Sequence, residues 1–169
     1  MKKLFCLLMC LMLPLAALAE AAPLTAEDFI ITVGDGSYLP GDEAAPLVAA
    51  LEALTGEPLN MTVTMSCMFS GMDCEYFNDA VLVGTYPIGV DGSDVIESVM
   101  VFTDALATER GAMVGMTRAE IEALYGTDYF LDWDTMIYSL GELEPQIMFT
   151  LDLDTDVVIS WMLLRNTVA

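Results

Sequence analysis

Apolar residues recur along this chain at two spacings, and the spacings alternate. In residues 47–56 (LVAALEALTG), Leu47, Leu51 and Leu54 fall at i, i+4 and i+7, one face of a helix, and Gly56 follows the last helical residue as a stop. Residues 115–126 (GMTRAEIEALYG) repeat that ending, IEALYG against LEALTG. Asp42 is placed to cap the first helix, with Glu43 in its positive first turn, and Thr117 with Glu120 three residues on forms a capping box for the second. After each helix the period drops to two. Met61, Val63, Met65, Cys67 and Phe69 alternate with Thr62, Thr64, Ser66 and Met68, which predicts a strand with one buried face. Further strands are expected over 80–86 and 95–103, and then over 133–140, 145–151 and 157–164. Residues 29–33 read as an earlier strand or docked segment that Gly34-Asp35-Gly36 breaks, and Asp91-Gly92-Ser93-Asp94, Gly141-Glu142 and Asp154-Thr155-Asp156 supply turns. The last strands also match, DVIESVM at 94–100 against DVVISWM at 156–162. The expected fold is therefore α+β: two tandem helix-plus-antiparallel-sheet (αβββ) units, about 29–104 and about 105–169, in one domain, because one unit alone leaves a sheet face unpaired.

The N-terminus changes the picture first. Lys2 and Lys3, an apolar run over 4–13, Pro14 and the small residues Ala17 and Ala19 make the pattern of a secretory signal cleaved after Ala19. The run is shorter than the roughly 20 residues that span a bilayer, and Met9 ahead of Cys10 argues against lipid attachment. The expectation is a leader over 1–19 and a single domain over 20–169, secreted or extracytoplasmic in the cell envelope, with no transmembrane segment after cleavage. Both lysines leave with the leader, so Arg110, Arg118 and Arg165 face all 26 acidic residues. Nucleic-acid binding draws its affinity from basic groups on phosphates, so no nucleic-acid partner is expected, and anionic membranes are disfavoured for the same reason. With 56% hydrophobic residues the chain still fills a core rather than staying disordered.

Catalytic chemistry is thin. The chain has no histidine, which removes Ser-His-Asp, Cys-His and imidazole-metal sites together. No G-x-S-x-G or phosphate-binding glycine loop occurs, and among 26 acids a pair of carboxylates is expected by chance. No enzyme, cofactor or metal is expected. Asp152-Leu153-Asp154-Thr155-Asp156 imitates the start of a calcium loop but has Val157 and Leu163 where glycine and glutamate belong, so it reads as a charged turn, with weak surface calcium binding the alternative. Cys67 and Cys74 have two open readings: a disulfide across a hairpin turning at Ser70-Gly71, or two buried thiols.

Three stretches carry a resemblance: the G-M-T-x-x-E-I-x-x-L-Y-G segment at 115–126, S-C-M-F-S-G-M-D at 66–73 and Thr85-Tyr86-Pro87. Together they resemble a family of uncharacterised, exported bacterial proteins with two such units, over most of residues 29–164. More remotely, the tandem helix and small sheet are similar to the β-lactamase-inhibitor-protein and outer-membrane assembly-lipoprotein folds. The nearer family implies no activity. The remoter one implies a sheet face that grips a partner, with no contact residue carried over by motif.

If Ile96, Ser98, Met100 and Phe102 face the helix, the other side of that strand carries Val95, Glu97, Val99 and Val101, and the matching row is Val157, Ile159, Trp161 and Leu163, shared by Trp133 and Ile137. Such rows must be covered, either from within the chain or by a partner. In the second case Trp133, Trp161, Ile159, Tyr129 and Phe130, ringed by Asp128, Asp132 and Asp134, form aromatic and apolar anchors inside an acidic rim, suited to a protein with a basic or apolar surface. The expected function is a secreted, non-catalytic protein-binding or inhibitor-like module. The alternative is a structural cell-envelope protein with weak calcium binding.

Overall fold

The structure is a computed structural model and describes residues 21–89, 92–141 and 144–165. The leader at 1–19 and residues Asp91 and Glu142 of two expected turns lie outside the described residues.

Among the described residues the fold is mixed α+β: two helices, a two-stranded sheet and an eight-stranded antiparallel sheet. After a 3-10 turn at Ala26–Phe29, strands β1 (Ile31–Val33) and β2 (Gly36–Tyr38) make a small hairpin that turns back at Gly34-Asp35, with Gly34 at φ 60°. Helix α1 spans Ala44–Thr55 and ends on Gly56 in the left-handed region at φ 71°, as the apolar spacing predicts. Its N-cap residue is Glu43, whose side chain makes no capping bond, while Asp42 Oδ2 accepts the Leu39 N–H at 2.8 Å and closes the preceding turn instead. Helix α2 spans Arg118–Tyr125 behind the capping box, with both Thr117 and Glu120 side chains engaged.

Four strands follow each helix, one more than the alternation of the sequence shows: β3 (Asn60–Met65), β4 (Met72–Phe77), β5 (Val81–Tyr86) and β6 (Val95–Val101) after α1, then β7 (Phe130–Asp132), β8 (Thr135–Ser139), β9 (Gln146–Leu151) and β10 (Val158–Leu164) after α2. The added strands are β4, a polar-looking MDCEYF, and β7, of three residues. The sheet order is β3-β4-β5-β6-β10-β9-β8-β7, so the last strands of the two halves meet in the middle and β3 and β7 are its edges. The core lies on one face of this sheet. Leu47 and Leu51 of α1, Ile121 and Tyr125 of α2, and Phe29, Ile31 and Val33 pack in one cluster with Val83, Val99, Phe149 and Trp161 of the strands.

One strap ties this layer together. Arg110 donates two hydrogen bonds to the carboxylate of Asp28, and also reaches the carbonyls of Ala22, Pro23 and Leu124 at 2.7, 2.8 and 2.9 Å, while its guanidinium stands 5.0 Å from the Tyr125 ring centroid. The residues that lead into the fold are thereby fastened to the end of α2.

Two expectations about the first hairpin are corrected. The β3–β4 register pairs Val63 with Cys74 and Met65 with Met72, so the hairpin turns between Met68 and Phe69, two residues earlier than the disulfide requires. Cys67 sits in the bend, exposed, Cys74 is buried in the strand, and both are free thiols. Strand β3 is exposed on both faces, because it is an edge strand beyond the reach of the helix layer, and its alternating methionines and valine bury nothing.

Candidate functional site

A sheet with helices on one face leaves the other to explain itself. Strand alternation puts the residues between the core positions on that far face. Following register partners across the strands, Phe77 pairs with Leu82, Leu82 with Met100, Met100 with Met162, Met162 with Met148, Met148 with Ile137 and Ile137 with Phe130. This is an unbroken apolar row across seven strands, about 29 Å at the usual interstrand spacing. None of the seven is in the core cluster. Those from Phe77 to Ile137 are half-buried, screening one another, and Phe130 at the edge is 67% exposed.

Largely polar rows bracket it, the first interrupted by Gly84 and Leu164. On one side run Glu75, Gly84, Ser98, Leu164, Gln146 and Ser139 as successive register partners, and on the other Ser160, Thr150, Thr135 and Asp132. Thr135 and Thr150 meet at 3.4 Å between hydroxyl oxygens. Tyr86 lies toward the β4–β5 end and hydrogen-bonds the carboxylate of Glu97; burial, then that carboxylate, push its phenol up to about 12, so it remains a neutral donor. The face thus has an apolar centre, mostly hydroxyl and amide flanks, and acids beside it in Glu75 of β4, Glu97 at the bulge of β6 and Asp132 of β7.

The five expected anchors separate. Trp133 is 81% exposed at the tip of the β7–β8 turn, at φ 55°, a region that bulky residues avoid. Phe130 shares that hairpin, and Ile159 is 50% exposed on β10. Tyr129 is half-buried: its hydroxyl donates to Glu122 Oε1 at 2.8 Å and its ring lies 5.4 Å from Tyr138. Trp161 is a correction. It is 2% exposed, with its indole N–H donated to the Leu106 carbonyl at 3.3 Å, and it belongs to the core.

Two bulges reverse the faces that strict alternation predicts. Thr85 pairs with Ile96 but Gly84 pairs with Ser98, so Glu97 is an extra residue in β6. Ile96 faces the helices as expected, and past the bulge the phase flips, placing Val99 and Val101 inside and Met100 outside. In β10 the shift between Val158 and Ser160 makes Ile159 the extra residue and turns Trp161 inward. The methionines at 100, 148 and 162 carried no signal of their own in the sequence, since strand phase alone decides which face they take.

The turn at 152–156 is also accounted for. Asp152 Oδ1 accepts the Thr155 N–H and hydroxyl, both at 2.8 Å, which lowers its carboxyl below the usual range, and Asp156 is ion-paired with Arg118 at 2.8 Å. Among the described residues no three histidine, cysteine or acidic side chains converge as a metal site. No protein-family model, curated protein or solved structure matches the chain.

Proposed function

We propose that the chain is an exported, non-catalytic protein-binding or inhibitor-like module that holds its partner on the helix-free face of the eight-stranded sheet. The observation that carries this reading is the apolar row from Phe77 to Phe130, which no helix among the described residues packs upon. A contiguous apolar stripe on a monomer's surface marks an interaction site, and methionines at its centre give a soft surface that adapts to a partner's shape. Trp133 adds an exposed aromatic at one end.

Charge selects the partner. A second copy would bring its own excess of acids to the same face, whereas a protein with a basic surface and apolar side chains meets Glu75, Glu97 and Asp132 with opposite sign.

The same reading makes the two halves copies of one duplicated unit, a helix with its following strands. Their mirrored order about β6 and β10, the glycine after each helix and the bulge in each central strand support it.

The test is selection of displayed peptides on the folded protein, with Met148→Glu/Met162→Glu as counter-target. The selected sequences should combine Lys or Arg with apolar residues, lose binding to the double variant, and weaken with salt. Sequences that are acidic, or that bind both proteins equally, refute the reading.

A further inference from the structure

The β3–β4 hairpin holds more sulfur than its packing uses. Residues 61–74 read MTVTMSCMFSGMDC, and of the six sulfur side chains only Cys74 is buried; Met61, Met65, Met68 and Met72 are 56, 74, 56 and 43% exposed, and Cys67 is exposed. An exposed thioether gains little from the hydrophobic effect, so packing does not account for them.

Register decides which of these sulfurs meet. The Ser66 N–H donates to the Gly71 carbonyl at 3.1 Å, closing the last rung before the bend. Met65 and Met72, partners one rung further in, are therefore a non-hydrogen-bonded pair, the kind whose Cα atoms stand only about 4.5 Å apart with side chains on one face. Beyond the rung, Ser66 Oγ accepts the N–H groups of Met68 and Phe69 at 3.3 and 3.0 Å, which fixes the bend and holds Cys67 one residue past the rung. Met68 is drawn aside, its sulfur 3.9 Å from the Tyr86 hydroxyl. Two thioethers, and a thiol in the adjoining bend, are left open to solvent at one end of the hairpin.

We infer that this hairpin end is a binding site for a soft monovalent cation, copper(I) or silver(I), with Met65, Met72 and Cys67 as its donors. Thioether and thiolate sulfur select soft ions over hard ones. The two methionines are neutral ligands whatever the pH. Cys67 binds as its thiolate, so each ion taken up releases one proton to solvent and no electron moves. The acid excess of the chain adds to the attraction.

The test uses metal-free protein, titrated with silver nitrate in nitrate buffer and with copper(I) in competition against bicinchoninate. One ion per chain is expected, with affinity falling at least tenfold in Met65→Leu/Met72→Leu and again in Cys67→Ser. Both methionines are exposed, so the double variant keeps its melting temperature, and an unchanged melt confirms that the loss is local. The proposal is overturned if the double methionine variant binds as tightly as the parent, which reduces the site to a reactive cysteine. It is equally overturned if the parent fails to compete with bicinchoninate, or if zinc displaces silver at equal concentration.

Discussion

Replacing Arg110 with methionine tests how the core layer is held. The substitution keeps the apolar stem and removes the guanidinium, and with it two bonds to Asp28, three bonds to backbone carbonyls and the contact with Tyr125. The pair is nearly dry: the side chains of Arg110 and Asp28 are 14% and 7% exposed. Removing one partner of a buried ion pair leaves the other charge uncompensated and costs about 3–5 kcal/mol, a large part of the 5–15 kcal/mol typical of a whole domain. At this chain length that lowers the melting temperature by roughly 10 °C. Asp28→Asn in the same background removes the orphaned charge, so the double variant should be more stable than the two single losses predict, by about 1–3 kcal/mol of coupling.

The effect also has a pH signature. Burial alone would raise the Asp28 carboxyl, but the bonds from Arg110 and the Thr25 N–H, with the arginine's charge, outweigh it and hold it below 3.8. A depressed folded value contributes stability above the unfolded pKa and loses it as pH falls through the folded one. The gap between parent and Arg110→Met should therefore be full at neutral pH and narrow below about pH 4. Urea unfolding followed by tryptophan fluorescence measures it. A loss under 1 kcal/mol at pH 7, or additivity of the two substitutions within about 0.5 kcal/mol, would show that the strap does not hold the fold.

Three further outcomes follow from the site. Trp161→Ala should cost about 3–5 kcal/mol as an unfilled core cavity, and a surface-like cost below 1 kcal/mol in denaturant melts would contradict its burial. Trp133→Gly relieves a left-handed conformation that costs an L-residue roughly 1–2 kcal/mol, partly offset by glycine's greater unfolded freedom; a net gain of about 0.5–1 kcal/mol is expected together with weaker peptide capture, and a loss of stability would mean that the indole is packed. With a thiol reagent under native conditions Cys67 should react at once and Cys74 only on unfolding, and a reducing agent should leave the melting temperature unchanged; a reduction-sensitive melt would restore the disulfide.

Both helices were legible in the sequence to within a residue or two, because their signals are local: Leu47 and Leu51 one turn apart, Gly56 as a stop, Thr117 with Glu120 as a cap. Strand positions were legible where apolar residues are dense between turn signals, as at Val81–Tyr86 and Val158–Leu164. Face assignment was not. It depends on phase, and a single extra residue at Glu97 or Ile159 reverses everything after it. Alternation in β3 misled for another reason: the pattern of Met61, Val63 and Met65 announces an apolar face, but whether anything covers it is decided by the sheet order, which only long-range pairing sets. The register of the Cys67–Cys74 hairpin failed likewise, the Ser66 side chain organising a longer bend than Ser70-Gly71 suggests.

The open margin at β3 has a consequence for how the protein behaves in bulk. NMTVTM contains neither lysine nor proline, the residues that usually blunt a free strand. What keeps one molecule's margin from zipping onto another's is long-range repulsion between like-charged bodies, and such repulsion is screened within about 3 Å at molar salt. Concentrated in brine, or acidified until its carboxylates discharge, the protein should pair margin to margin into dimers, whereas in dilute neutral buffer it should stay dispersed.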